Sequence, residues 1–140
     1  MCYYSSHDDN ESIERAASVL HPYVTKDARL FGNVGAALVG ENGKVYVGVC
    51  VDTASWGLCA ERSAMAAMIT DKCYRVRKMV AVWRDEKDGK LYILPPCGVC
   101  REILRRIDED NLQTEVILGR MDVLKLAELL PRHEWPDPFD

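Results

Sequence analysis

Two short runs in this 140-residue chain place cysteine beside residues that suit metal chemistry. They are Cys59-Ala60-Glu61-Arg62 and Pro96-Cys97-Gly98-Val99-Cys100-Arg101. Both stand where the apolar pattern predicts that a helix begins. The first turn of a helix offers free N–H groups and the positive end of the dipole, which favour a thiolate. We therefore expect Cys97 and Cys100 to reach one ion from a single turn, with Cys59 as a third ligand from another helix.

Three cysteines do not complete a zinc site, because zinc prefers four ligands. In a catalytic site the fourth position holds a water that the metal makes acidic near neutral pH. Glu61 lies close enough in sequence to Cys59 to serve that water as a general acid and base. Three thiolates leave zinc with one net negative charge, so we expect Arg62 and Arg101 to donate hydrogen bonds to the sulfurs.

The cysteine pattern leaves two other interpretations open. Cys50 or Cys73 as a fourth ligand would make a closed, structural zinc site. The run Cys-Gly-Val-Cys at the start of a helix also suits a thiol redox protein. That second interpretation leaves the Cys59-Ala60-Glu61 run without a purpose. The chain has six cysteines, and we expect the sixth, Cys2, to be unremarkable.

Composition is that of an ordinary globular protein. Hydrophobic residues make up 48% and charged residues 29% of the chain, and the length suits one domain spanning residues 1–140. The formal net charge of −4 gives no electrostatic case for nucleic acid or for an anionic membrane as a partner. The polar, acidic start is unlike a secretory signal, and six cysteines in a chain of this length need no disulfide framework. We therefore expect a cytoplasmic protein.

The apolar periodicity predicts a sheet covered by helices. Helices are predicted over 12–20, 58–69, 97–107 and 123–130, and strands over 34–39, 45–51, 79–83, 91–94 and 114–118. Asn42-Gly43 between the first two strands predicts a hairpin. This order of elements implies helices on both faces of the sheet.

The two cysteine runs match the pattern of the zinc nucleobase deaminases, H-x-E followed by P-C-x-x-C, in which Cys can replace His. The chain resembles the free-nucleoside branch of that family, which contains cytidine deaminase and blasticidin-S deaminase. The resemblance extends to Val34-Gly35-Ala36-Ala37-Leu38 and to Glu128-Leu129-Leu130-Pro131.

The resemblance implies a fold and an activity. The fold is a three-layer α/β/α sandwich around a mixed five-stranded sheet, with one zinc per subunit on Cys59, Cys97 and Cys100. The activity is hydrolysis at C4 of a cytosine-type nucleoside or analogue, with water as co-substrate and Glu61 as the proton carrier. The resemblance also implies a homotetramer, and a dimer is the alternative.

The substrate-binding half matches less well. Cytidine deaminases usually hold the ribose with Asn-x-Glu, and the corresponding residues here are Cys50-Val51-Asp52. Phe31 and Trp56 are candidates to stack on the base, and Ala60 and Pro95 are candidates to contact it. This departure keeps a blasticidin-S-type antibiotic or another amino-heterocycle open as the substrate. A zinc-stabilised binding protein without activity is a further alternative.

Overall fold

A computed structural model of the chain describes residues 6–53 and 56–139, so Cys2 lies outside the described residues. In chain order the elements are α1 (Ser6–Ser18), β1 (Tyr23–Val24), β2 (Leu30–Phe31), β3 (Val34–Gly40), β4 (Val45–Val49), β5 (Val51–Asp52), β6 (Gly57–Leu58), α2 (Ala60–Thr70), β7 (Val76–Arg84), β8 (Leu91–Leu94), α3 (Gly98–Ile107), a 3-10 helix (Glu109–Gln113), β9 (Glu115–Gly119), β10 (Asp122–Lys125) and α4 (Leu126–Leu129).

The central sheet is mixed, as the resemblance implies. Five strands follow one another in the order β10-β9-β7-β3-β4, and the short β8 pairs with the end of β7 as a sixth strand. Strands β7 and β9 run parallel, whereas the other pairs in this sheet are antiparallel. The hairpin predicted from Asn42-Gly43 is confirmed, with Gly43 at a φ of +82° in the turn between β3 and β4.

Alternate residues of the strands face two separate cores, which makes three layers. Met79 of β7 belongs to a buried cluster with Met65 of α2 and Leu104 of α3. Its neighbour Val80 belongs to a second cluster with Ala16 of α1. Since successive side chains of a strand point to opposite faces, α1 covers one face of the sheet and α2 and α3 cover the other.

A glycine in β4 lets α2 approach the sheet closely. A Cβ atom at Gly48 would lie 2.6 Å from the backbone nitrogen of Ala64 and 2.8 Å from the carbonyl oxygen of Ala60. Contacts this short leave no room for any side chain. The first turn of α2, which carries Glu61, is therefore held directly against the sheet.

A buried asparagine fixes the other end of the helix that carries Cys100. Asn111 has no exposed surface, and its Oδ1 accepts a 2.8 Å hydrogen bond from the Val76 N–H at the start of β7. Its Nδ2 donates to the carbonyl of Leu104 at 2.9 Å and to that of Tyr74 at 3.0 Å. These bonds tie the last turn of α3 to the sheet, because each satisfies a backbone group that is otherwise unpaired.

The helix predicted over 123–130 is wrong in its first half. Residues Asp122–Lys125 form strand β10, which pairs antiparallel with β9, and only Leu126–Leu129 are helical. Apolar residues at 123, 124 and 126 fit either period over so short a segment, and pairing with β9 decides between them.

Two short hairpins beside the sheet were not predicted. Strand β1 pairs with β2, and β5 pairs with β6. The strand predicted over 45–51 therefore ends at Val49, since Val51 belongs to β5. The first helix begins earlier than predicted and ends at Ser18, and β7 extends beyond both predicted ends. Over 6–53 and 56–139, the helices are all too short or too polar to cross a bilayer.

Candidate active site

Three cysteine sulfurs from two helix N-termini form one cluster. Cys59 is the residue before α2 and Cys97 is the residue before α3, and both have extended backbone conformations. Cys100 lies in the first turn of α3 and is fully buried. The Sγ of Cys97 lies 3.4 Å from the Sγ of Cys59 and 3.4 Å from that of Cys100, and all three lie within 4.8 Å of one another.

This donor set fits zinc. A tetrahedral zinc with Zn–S bonds of about 2.3 Å separates its sulfurs by about 3.8 Å, which lies within the range observed here. Of the side chains in the described part of the chain, this is the one group of three or more potential ligands that come so close. Cys50 donates its thiol to Asn33, and Cys73 donates to the carbonyl of Arg75, so neither sulfur joins the cluster as a fourth ligand.

Arg62 brings a positive charge into contact with the sulfur cluster. Its guanidinium donates one bond to the carbonyl of Gly57 at 3.0 Å and another to the Cys59 Sγ at 3.6 Å. The bond to Cys59 is the main reason why the pKa of Arg62 is raised. The structure therefore places Arg62 where the sequence predicted it, in contact with a ligand sulfur.

Arg101 does not follow that prediction. Its Nε donates to the carbonyl of Pro96 at 2.8 Å, and another guanidinium nitrogen donates to the carbonyl of Leu129 at 3.1 Å. The side chain runs backwards along α3 to the preceding loop and to the end of α4. Arg101 thus stabilises the loop that precedes Cys97. The prediction that it donates a hydrogen bond to a thiolate is wrong.

Without a cation, the thiols of this cluster differ in acidity. Burial and the nearby charge of Glu61 raise the pKa of the Cys100 thiol. Burial also opposes ionisation of Cys97, but the backbone N–H of Cys100 and the neighbouring thiols lower its pKa overall. A dication among the sulfurs is what would make three thiolates stable together.

Glu61 is a buried carboxyl group beside this cluster. It lies in the first turn of α2 and is 5% exposed. Burial raises its pKa, although its own backbone N–H and the charge of Arg62 oppose the shift. A carboxyl group in this environment holds a proton more readily than an exposed one, as general acid–base chemistry requires.

The cluster opens into a cavity of about 200 Å³. Its lining includes half of the site residues expected from the sequence, which are Cys50, Cys59, Ala60, Glu61, Pro95 and Cys97. Three small or branched apolar residues, Val34, Ala81 and Leu94, complete its wall. The register of the sheet brings these apolar residues together, since Ala81 pairs with Leu94. No local sequence pattern predicts this pairing.

Three of the candidate substrate contacts are not part of this lining. Phe31 is half-buried in β2 and pairs with Tyr23. Asp52 is exposed in β5, and Trp56, just before β6, is 59% exposed. Residues 54 and 55, which join these two strands, lie outside the described residues.

The sequence matches a known family over most of its length. The sequence model of the cytidine and deoxycytidylate deaminase zinc-binding region matches residues 9–115. A cytidine deaminase of Halalkalibacterium halodurans is 36% identical over 104 residues, which cover 70% of this chain and 74% of that protein. A blasticidin-S deaminase of Bacillus cereus is 26% identical over 104 residues, covering 71% of this chain and 74% of that one.

Other similarities differ in their coverage. A probable cytidine deaminase of Dictyostelium discoideum is 39% identical over 71 residues, which span 49% of this chain and just under half, 46%, of that protein. Among solved structures, the cytidine deaminase of Burkholderia pseudomallei superposes with a TM-score of 0.68 and 27% identity. That superposition covers 88% of this chain and 96% of the other. The likeness in structure thus extends over almost the whole chain.

The cluster predicts a defined metal stoichiometry. Purified protein should contain one zinc per chain by elemental analysis, and Cys100→Ser should lose it, because two remaining sulfurs make a weaker and incomplete site. Cys50→Ser is the matched control, since Cys50 lines the same cavity but stands outside the cluster. Loss of zinc from the Cys50 variant, or its full retention in the Cys100 variant, would contradict this assignment.

Proposed function

The chain belongs to the cytidine and deoxycytidylate deaminase family, and from that premise we propose that it removes the amino group of a cytosine-type nucleoside or nucleoside analogue by hydrolysis. One observation carries the proposal. A buried carboxyl group, Glu61, shares a cleft with a three-cysteine cluster that fits zinc. The cleft thus combines a metal site with an internal acid and base, the pair of devices that hydrolysis at a planar carbon requires.

The residues of the chain divide the work between them. Cys59, Cys97 and Cys100 would hold the zinc, which would supply the chemistry of a Lewis acid by making a water molecule at the site more acidic. Glu61 accepts one proton from the attacking water and delivers it to the ring nitrogen, then accepts the second proton of the same oxygen and delivers it to the departing amine. Water supplies the oxygen of the new C–O bond at C4, the C–N bond breaks, and ammonia leaves.

The shape of the cleft suits a small flat ring. Its volume of about 200 Å³ is below the 300–1,000 Å³ that is usual for larger ligands. Val34, Ala81 and Leu94 give the cleft apolar walls, which would exclude water around a bound ring. Exclusion of water strengthens the electrostatic interactions by which Glu61 moves protons.

A blasticidin-S-type antibiotic is the second candidate substrate. The observation that favours it is the similarity to the blasticidin-S deaminase, which extends over 71% of the chain. Cys50 and Asp52 also occupy the positions at which cytidine deaminases usually carry Asn and Glu. A cysteine thiol is only a weak hydrogen-bond donor, so it binds a sugar hydroxyl more weakly than the asparagine amide that it replaces.

We further propose that the protein acts in the cytoplasm as a homotetramer without nucleic acid. Zinc thiolates need a reducing compartment, and the described cysteines are unpaired. Large apolar side chains stand exposed on the surface, among them Val99 in the first turn of α3 and Trp135 in the carboxyl-terminal segment, and contacts between subunits would bury such side chains.

Light scattering of the purified holoprotein should give about four times the mass of the chain, which is 15.8 kDa, and a monomer mass would contradict the assembly.

Glu61 is tested by an isosteric substitution. Glu61→Gln keeps the size of the side chain but cannot carry the proton, so ammonia release should fall at least about 100-fold. The panel is cytidine, deoxycytidine, cytosine and blasticidin S, with zinc content measured on the same samples. Activity of the wild type on one member, lost in Glu61→Gln with zinc retained, supports the proposal. An inert wild type that still holds zinc would favour the binding protein over the enzyme.

The contribution of Arg62 to turnover is tested by substitution, with a second arginine of the chain as the control. Arg62→Gln removes the charge beside Cys59 and should lower kcat/KM about tenfold, which corresponds to about 1.4 kcal/mol in the barrier. Its effect on the free energy of unfolding should be that of two lost hydrogen bonds, about 0.5–1.5 kcal/mol each.

The matched control is Arg105→Gln on α3. Arg105 pairs with Glu102 at 2.7 Å and, like Arg62, has a buried Nε that lacks a partner in the described part of the chain. We expect that variant to change stability but not turnover. Equal turnover of Arg62→Gln and wild type would contradict a role for Arg62 in balancing the thiolates.

A further inference from the structure

The three cysteines of the cluster differ in their exposure. Cys97 is exposed and lines the cleft, and Cys59 is half-buried and lines it as well. Cys100 is fully buried and is not part of the lining. Oxidation of a cysteine follows its exposure and its thiolate character, and a zinc ligand is a thiolate. A small oxidant that enters the cleft therefore reaches the sulfur of Cys97 most easily.

One helical turn joins Cys97 to Cys100. Cys97 is the residue before α3, Cys100 is the third residue of that helix, and its N–H donates to the Cys97 Sγ at 3.5 Å. Residues three apart in a helix have Cα atoms about 5 Å from each other, and a disulfide spans about 4.4–6.8 Å between Cα atoms. The two sulfurs are already 3.4 Å apart. Rotation of the two side chains can therefore close this bond within a single helix.

Cys59 is equally close to Cys97 but belongs to a different element. Its Sγ also lies 3.4 Å from that of Cys97, yet it precedes α2, which packs directly on the sheet at Gly48. A bond between these two sulfurs would tie together two helices that are held separately. Cys59 also has a charged partner of its own, since the Arg62 guanidinium donates to it at 3.6 Å. The geometry thus favours Cys97 and Cys100 as the pair that oxidises.

We propose that Cys97 and Cys100 form a redox-sensitive pair, and that the site releases zinc when hydrogen peroxide oxidises them to a disulfide. The Cys97 sulfur attacks one peroxide oxygen, the O–O bond breaks, and hydroxide leaves a sulfenic acid at Cys97. The Cys100 sulfur then attacks the Cys97 sulfur, the S–O bond breaks, and a second hydroxide leaves. Two thiolates lose two electrons in total, and two protons from solvent convert the hydroxides to water.

The disulfide removes two of the three ligands. Cys59 alone does not hold zinc, which takes three or four protein ligands in such sites. A dithiol reverses the change by thiol–disulfide exchange, so the site can be loaded again. The inference goes beyond deamination, because the pair controls whether the metal site exists, whatever ring the cleft accepts.

The first measurement is zinc release from the zinc-loaded protein. Hydrogen peroxide should release about one zinc per chain to a chromogenic chelator, and dithiothreitol with added zinc should restore the metal content. Retention of zinc, with the thiols of the cluster still free after the treatment, would overturn the proposal.

The second measurement is a tryptic map made after alkylation of the free thiols. Cys97 and Cys100 lie in one tryptic peptide, residues 91–101, whereas Cys59 lies in the peptide of residues 45–62. The disulfide should appear as a peptide 91–101 that carries no alkyl group and lacks two hydrogen atoms, on the time course of zinc release. A cross-link between the two peptides, or a sulfinic acid at Cys97 without a disulfide, would overturn the pairing.

Two variants serve as controls. Cys73→Ser removes a cysteine outside the cluster and should release zinc at the wild-type rate. Cys59→Ser, oxidised without metal, should still form the disulfide in peptide 91–101, because Cys59 takes no part in it. Absence of that disulfide in Cys59→Ser, with an unchanged unfolding midpoint, would contradict the assignment.

The possible failures are distinguishable. Deaminase activity enters none of these measurements, so a protein inert on every substrate overturns the proposed function and leaves this test intact. A purified protein that binds no zinc overturns the metal site and with it the release of zinc.

Discussion

Three sulfurs within 4.8 Å of one another cannot all carry negative charge without a cation between them. Like charges at such distances repel by several kcal/mol at the effective dielectric of a protein, about 4 kcal/mol at 4 Å. Ionisation of Cys100 depends most on such a cation, because its sulfur is buried and lies near the carboxylate of Glu61. Ionisation of the thiols, binding of the metal and docking of the two helices are therefore one coupled equilibrium.

Because of this coupling, the positions of the two helices that carry the cysteines determine the geometry of the site. Cys59 and Cys97 each precede the first turn of a helix, so a small shift of either helix moves a ligand sulfur directly. Gly48 removes the side chain that would separate α2 from the sheet, and Asn111 anchors the far end of α3. Both devices act on helices that carry ligands. The metal site and Asn111 thus hold the two ends of α3, whereas the metal site and the contact at Gly48 both hold the N-terminal end of α2.

The sequence was most informative where chemistry requires a residue type. Few functions other than metal binding require a cysteine two residues before Glu61 together with a pair of cysteines three residues apart. The same cysteines also indicate where two helices begin, because the free N–H groups of a first helical turn stabilise a thiolate. The Asn42-Gly43 hairpin was readable for a similar reason, since its turn needs a positive φ. In each case one local requirement selects the residue.

The sequence was least informative where tertiary pairing decides. Val34, Ala81 and Leu94 meet in the cleft through the register of three strands, which no local pattern encodes. Strand β10 was mistaken for helix because four residues cannot reveal a period, and its hydrogen bonds to β9 decide its conformation. Arg101 stands beside a ligand in sequence, yet its long side chain reaches the carbonyls of two other segments.

The position of Arg101 alters the charge balance of the site. With Arg101 bound to carbonyls, Arg62 is the one guanidinium that touches a ligand sulfur in the described part of the chain. A zinc with three thiolates keeps one net negative charge, which weakens it as a Lewis acid, and Arg62, whose bond to Cys59 is 3.6 Å long, offsets only part of that charge. The remainder falls to the dipoles of α2 and α3, whose N-termini both point at the cluster. Helix orientation is thus a catalytic variable in this fold, and the close packing at Gly48 that fixes α2 serves the reactivity of the metal as well as the stability of the chain.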